Sequence, residues 1–337
     1  MMWRSQNREN ERGAVLLTTL LLMTVMAALA VAIMDDIRFS IKRAVGVQMS
    51  EQIDWYMLGG EDFARNWLAD NTAGDTSGLN QILLLGEPIV FPLDEDGSIQ
   101  IQAKDGRNCY NVNRLSAPKI KEQTRAELAQ LFRYMEFDNF QAESFAARIQ
   151  DWVDGDTIPE QGGAEDLTYS SQKPPYHAAN TMMVDISELR AVEGISQEQY
   201  LKMKPLLCAV PDANMNKINL NTLEPEQWPL LALLLGNTDA VSPEAQKAAQ
   251  AVIALRPLAG YASTEAVWAL PVIEDLKLKG AGKNMTAVKT DMVDLVIQVQ
   301  MSQEMDVAGA GQTRRQMVRF ALGAENGVEL VARRNAF

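Results

Sequence analysis

Histidine and cysteine are almost missing from this chain, with one His and two Cys in 337 residues. A zinc centre draws on those two residue types and has little to build with here. His177, the single histidine, lies in a proline-rich stretch and is a poor base for a Ser-His-Asp site. Cys109 and Cys208 stand too far apart for a CxxC metal or redox motif. Basic charge is also short, 31 Lys and Arg against 44 Asp and Glu, for a net charge of −13. A nucleic-acid binder neutralises phosphates with a basic face, so the chain as a whole argues against that class. No Walker or dinucleotide glycine motif follows a strand pattern. Paired acids such as Asp154 and Glu165 would suit a glycosidase at about 5–10 Å, but no aromatic-lined cleft is suggested near them. Catalysis is not expected.

Long apolar runs are scarce too, except for one. Residues 14–33 carry no charge and consist mainly of Leu, Ala, Val, Met, Thr and Ile. As a helix rising about 1.5 Å per residue, that run is roughly 30 Å long, the thickness of a bilayer core. A short polar leader, residues 1–13, precedes it and ends in Arg12-Gly13. A secretory signal is cut after its apolar segment. Here the small-residue step lies before the run, so cleavage after Gly13 leaves the apolar helix in place with Ala14 as the new N-terminus. Arg4, Arg8 and Arg12 favour a cytoplasmic leader only weakly, because Glu9 and Glu11 accompany them.

Helical spacing continues past the run. Ile37, Ile41, Val45, Met49, Ile53, Met57, Gly60, Phe63 and Trp67 step by three or four and predict one packed face reaching about residue 69. The Asn, Thr, Gly, Asp and Ser of residues 71–78 predict a loop. Strand patterns follow at 88–93 and 99–103, with a turn at 94–98. They return at 295–301, 315–322 and 327–333, the last two joined by a hairpin turn at 323–327. With 47% apolar and 22% charged residues, the body is globular. The fold class read from this order is α+β: a long helix packed on an antiparallel sheet, with a large α-helical domain inserted into it. The boundaries are 34–106 and 289–337 for the two parts of the core, and 107–288 for the insertion.

The insertion repeats weakly. One half opens at Asn111-Val-Asn113, has helical stretches at 125–134 and 144–152, and ends at 187–195. The other opens at Asn219-Leu-Asn221, has helical stretches at 228–235 and 243–255, and ends at 263–273. Asn, Ser and Thr suit the openings because their side chains accept from first-turn amides. Both halves resemble helix-hairpin-helix units of the sterile-alpha-motif type. Such units bind DNA through cation-flanked glycine turns. The turns at 192–195 and 235–237 have no adjacent Lys or Arg, so a packing or protein-binding module is expected.

The first half is longer, and its excess contains an acidic loop, residues 151–166, with six carboxylates and no Lys or Arg. Asp151, Asp154 and Asp156 recur where a helix should end, and Glu165 and Asp166 return after Gly162-Gly163. Converging carboxylates repel unless a cation lies between them. A hard divalent ion with oxygen ligands fits, and Ca²⁺ is the usual choice outside the cytoplasm. The plainer reading is a solvated acidic loop.

The Gly13–Ala14 step before an apolar helix resembles the signal of type IV pilins and pseudopilins, which normally carry Glu at the fifth mature position. Thr18 stands there instead. That departure resembles the minor pseudopilin K family of type II secretion systems. So does the segment Asp151-Trp152-Val153-Asp154-Gly155-Asp156, followed by Gly163-Ala164-Glu165-Asp166, Tyr169 and Pro174-Pro175-Tyr176-His177-Ala178-Ala179-Asn180. The resemblance implies a pilin-like core and cleavage and methylation by a prepilin peptidase. It also implies a single-pass inner-membrane anchor with the body in the periplasm. A structural Ca²⁺ is expected in the helical domain, with Asp151, Asp154, Asp156, Glu165 and Asp166 as candidate ligands. In that oxidising compartment a Cys109–Cys208 bridge is expected, the other reading being two buried thiols. The implied partners are the minor pseudopilins I and J and the major pseudopilin filament. The implied role is to start and cap a periplasmic pseudopilus that drives export of folded proteins. The alternative is a minor pilin of a type IV pilus or DNA-uptake filament.

Overall fold

The structure, a computed structural model, describes residues 6–72, 77–93, 97–214, 217–236, 240–274, 276, 281–301, 312–323 and 327–335. It opens with α1 (Gln6–Thr72), one uninterrupted helix that passes through Gly13 and Ala14 without a break. α2 (Ser77–Leu85), β1 (Ile89–Leu93) and β2 (Gly97–Asp105) follow. A helical block comes next: β3 (Tyr110–Asn111), α3 (Lys121–Tyr134), α4 (Asn139–Val153), α5 (Asp166–Ser170), α6 (Gln197–Met203) and β4 (Leu207–Cys208) in its first half. Its second half holds β5 (Ile218–Asn219), α7 (Trp228–Leu235), α8 (Pro243–Ala254), α9 (Thr264–Trp268), α10 (Pro271–Glu274) and β6 (Thr286–Ala287). Then come β7 (Met292–Met301), β8 (Gln312–Leu322) and β9 (Val328–Asn335). The main sheet has the order β1-β2-β7-β8-β9, and β8 pairs β9 antiparallel with an irregularity between Arg319 and Phe320. The architecture is α+β, with the helical block running in sequence between β2 and β7.

The chain forms two compact units. The first takes residues 1–62, 90–100 and 297–315. Its part of α1 is bare at the N-terminus, where the large apolar side chains from Val15 to Met34 are all more than half exposed. This helix is long and apolar enough to cross a membrane. Further along, Met49, Ile53 and Met57 are buried, as are Ile297, Val299 and Met301 of β7. Arg314 ion-pairs with Asp54 and donates to Ser50 Oγ at 2.9 Å.

The expected packed face of α1 holds only in its middle. Ile37 and Ile41 are each 49% exposed. Beyond Met57 the buried stripe passes through Glu61, Ala64 and Leu68, leaving Phe63 exposed and Trp67 half-buried. Steps of four, three and four hold one side of a helix toward the core. Phe63 and Trp67 sit one residue, about 100°, off that line.

The second unit takes residues 63–89, 101–296 and 316–337. It contains α2, which the sequence pattern did not single out. Of the loop expected at 71–78, residues 71–72 end α1, 77–78 open α2 and 73–76 lie outside the described residues. Leu79 and Leu83, one helical turn apart, are buried in α2. The expected turn at 94–98 and the hairpin turn at 323–327 fall partly outside the described residues, although Gly323 N donates to Gly327 O at 2.8 Å. The core of this unit is the helical block, where α3 packs on α4 and α7 on α8. Phe132, Phe137 and Phe145 meet edge to face in the first half. Each half is closed by a two-residue parallel pairing, β3 with β4 and β5 with β6. Beside the first of these, Cys109 and Cys208 are joined as a disulfide with their Cα atoms 5.6 Å apart.

Asp105 anchors the start of the block. Its carboxylate accepts from Thr222 Oγ1 (2.6 Å), Asn219 Nδ2 (2.7 Å), Thr290 Oγ1 (2.8 Å) and Arg107 N (2.8 Å). Burial pushes this carboxyl up from its ordinary range while those four donors pull it down. The end of β2 and the second half of the block are thereby tied through one buried acid.

Candidate metal centre

Helix α4 delivers the first acids. It opens at Asp138, whose side chain accepts from Gln141 N, and ends at Asp154, which has left helical geometry. Asp151 lies in its last turn and is fully buried. Its carboxylate turns back on the following loop, accepting from Ala164 N at 2.7 Å and from Glu160 N at 3.1 Å. Those two bonds fold residues 154–164 against the helix end. Gly162 has φ +82°, a backbone conformation that side chains disfavour. A Cβ at Gly163 would fall on Asp151 Oδ2, so the bend depends on glycine there as well. Ser144 Oγ donates to Gly162 O at 3.2 Å and holds the bend from α4.

This fold brings Asp154, Asp156 and Glu165 together. Among the described residues, one oxygen from each lies within 4.8 Å of the others. Glu165, just before α5, is only 5% exposed. Neither of its carboxylate oxygens has a hydrogen-bond partner among the described residues, and Asp154 Oδ1 has none either. Burial, then the charges of Asp151, Asp154, Asp166 and Asp156, push the Glu165 carboxyl up to about 7. Burial and then Asp156 raise Asp154. Buried carboxylates that face one another without donors need either protons or a cation. The donor set is entirely hard oxygen, which fits a divalent cation such as Ca²⁺ better than zinc.

Two of the five candidate ligands take other partners. Asp151 is occupied by backbone amides, and burial pushes it up to about 6. Asp166 accepts from Ala178 N at 2.9 Å and lies 3.1 Å from His177 Nδ1. It pins the proline-rich segment rather than facing the other acids.

Cations missing from the loop arrive from α3. Lys121 Nζ stands 3.3 Å from Asp154 Oδ2 and 3.5 Å from Asp156 Oδ2. Arg125 pairs with Glu160 and holds that carboxyl below its ordinary range. The loop itself has no Lys or Arg, and these contacts bring cations to it from another helix. Similarly, Arg148 Nη1 donates to Glu193 O at 3.0 Å, so a cation does lie beside the turn at Gly194, although it is spent on that carbonyl.

The aromatic residues of the same motif pack on one another. Trp152 meets Tyr169 at 5.2 Å between ring centroids, and Tyr169 meets Tyr176 at 5.3 Å. The Tyr176 hydroxyl donates to Ala191 O at 2.9 Å, and Trp152 Nε1 donates to Glu188 Oε2 at 3.3 Å. The Trp, Tyr and Pro-Pro-Tyr parts of the sequence motif therefore meet in one aromatic cluster.

Comparison with known proteins adds independent information. Residues 108–212 and 218–289 match two family descriptions, each reading Type II secretion system (T2SS), protein K. The two matches fall on the two halves of the helical block. A Type II secretion system protein K from Pectobacterium carotovorum subsp. carotovorum is 33% identical over 308 residues, covering 87% of this chain and 90% of its own. Its counterpart from Aeromonas hydrophila is 31% identical over 238 residues, covering 66% of this chain and 70% of its own. The fold is also that of a chain in the crystal structure of the GspK-GspI-GspJ complex from enterotoxigenic Escherichia coli, with a TM-score of 0.69 at 22% identity. That match covers 88% of this chain and 99% of the other.

Proposed function

Since this chain belongs to the type II secretion system protein K family and is a minor pseudopilin of such a system, we propose that it joins minor pseudopilins I and J to start and cap a periplasmic pseudopilus. The role is structural, not catalytic. Thr18 is the observation that carries the tip position. Its hydroxyl donates to Val15 O at 2.9 Å, inside its own helix. In a filament of such helices, a carboxylate at this place neutralises the terminal amine of a neighbour, and a buried unpaired amine is costly. A subunit without that carboxylate suits the end of the filament, where the neighbour it would serve is missing. The bulk of the helical block points the same way. Immunogold labelling of overassembled filaments tests this reading. Label confined to one end is expected, and label spaced along the shaft would overturn it.

The bare apolar stretch of α1 supports a single inner-membrane span with the body in the periplasm. Cleavage after Gly13 by a prepilin peptidase, with methylation of Ala14, completes the maturation we infer. N-terminal mass analysis of the membrane form is expected to find methylated Ala14.

We also infer that Asp154, Asp156 and Glu165 hold a structural Ca²⁺. When bound, such an ion neutralises the three carboxylates and ties the end of α4 to the start of α5. Asp151 shapes the loop through backbone amides, and Asp166 fixes the segment at 177–178.

A further inference from the structure

Lys121 is the first residue of α3, where a helix favours acids and disfavours cations. Its ammonium nevertheless turns into the acidic centre. It lies 3.3 Å from Asp154 Oδ2, 3.5 Å from Asp156 Oδ2 and 3.7 Å from Glu160 Oε1. No such contact reaches Glu165, whose two buried oxygens are without partners among the described residues. One positive charge therefore serves two of the three converging carboxylates and leaves Glu165, as buried as Asp154, unserved.

We propose that Lys121 is a tethered competitor for the cation of this centre, and that it sets both the calcium threshold and the discrimination against monovalent ions. The proposal rests on the reading that Asp154, Asp156 and Glu165 take Ca²⁺. A monovalent ion brings no more charge than the ammonium already supplies, and the ammonium loses no freedom of translation when it enters the site. A divalent ion brings twice the charge and reaches Glu165 as well. Displacing Lys121 is therefore favourable for Ca²⁺ and unfavourable for Na⁺ or K⁺. In calcium-free protein, Lys121 keeps the loop folded by holding Asp154 and Asp156.

The test is calorimetric titration of the full-length protein in detergent, stripped with EGTA, with CaCl₂ at constant ionic strength. Lys121→Met and Lys121→Gln are each expected to bind Ca²⁺ about three- to tenfold more tightly than the parent, the range of a partly exposed ion pair. They should also melt at lower temperature in EGTA. Lys121→Arg, which keeps the charge, should bind close to the parent. Exchanging choline chloride for NaCl should weaken calcium binding in Lys121→Met but not in the parent. If the parent takes up Ca²⁺ and both neutral variants bind it equally or less tightly, the competitor role is overturned while the metal reading stands. If neither parent nor variants take up Ca²⁺, the metal reading falls and the inference with it. Uptake by the neutral variants alone would show Lys121 outcompeting the ion in the parent.

Discussion

Asn221 makes in the second half of the helical block the bonds that Asn113 makes in the first. Asn113 accepts from Met183 N at 2.8 Å and donates to Met183 O and Val210 O at 2.9 and 3.0 Å. Asn221 accepts from Tyr261 N at 2.7 Å and donates to Tyr261 O and Val288 O at 3.0 and 2.9 Å. The sequence separations are 70 and 97 in the first half, 40 and 67 in the second. Both differ by the same amount, so all the extra chain of the first half lies between Asn113 and Met183. That stretch contains the acidic centre. The centre is an addition to one copy of a shared scaffold.

Removing either asparagine should weaken the fold to a similar degree. Asn113→Ala and Asn221→Ala each leave buried backbone groups without partners, at about 2–4 kcal/mol. Urea unfolding followed by circular dichroism measures this. A loss confined to one of the two would contradict their equivalence.

Ca²⁺ should raise the melting temperature by mass action on the folded state, and Gly163→Ala should abolish that rise. Its Cβ displaces Asp151 from the amides that bend the loop, with a direct destabilisation of about 1–3 kcal/mol. Gly155→Ala is the control, because nothing lies within 4 Å of its Cβ. Scanning calorimetry with Ca²⁺ and with EGTA distinguishes the two. Asp154→Ala combined with Asp156→Ala should also remove the rise.

The calcium-free protein should lose stability as pH rises through the window from about 4.5 to about 7. There the folded form retains a proton on Glu165 that the unfolded form has released. The folded form then binds more protons than the unfolded one, and stability falls with pH. Asp151, also raised, adds to the slope in the same direction. Ca²⁺ favours the ionised carboxylates, so its effect on melting temperature should be larger near pH 8 than near pH 5. Glu165→Gln should raise the calcium-free melting temperature near pH 8. An equal calcium effect at both pH values would sink this account.

Non-reducing peptide mapping of periplasmic material should find Cys109 joined to Cys208, and free thiols at both positions would reject the bridge. Replacing both by Ser should cost at most about 4–5 kcal/mol, the chain-entropy limit for a loop near 100 residues. Urea midpoints of the oxidised parent and the double Ser variant give the comparison.

Much of this was legible in the sequence because it is written locally. The segment at 89–93 is a short apolar run, the strands at 97–105 and 292–301 alternate, and α4 and α8 open on their own side-chain caps, Asp138 and Ser242. Asp154, Asp156 and Glu165 lie in one acidic run, so that run pointed to the centre. Asp151 is in the same run, but its donors, Glu160 N and Ala164 N, come from the bend of the loop, which residue type does not reveal. Lys121 lies 33 positions before Asp154, and only the packing of α3 on α4 brings it there. The pairings of β3 with β4 and of β5 with β6 are two residues long, below the length at which alternation can be read.

The Cys109–Cys208 bond has a mechanical consequence. Asp151, Asp154, Asp156 and Glu165 all lie in the stretch of chain between the two half-cystines, whose sequence separation is 99. Tension applied along the backbone enters that stretch at one sulfur and leaves at the other. The covalent shortcut carries it, and the chain inside the ring stays slack. A pull applied between α1 and the C-terminal strands therefore loads this chain without drawing out the acidic loop. Reduction would remove the shortcut and put that loop in series with the load.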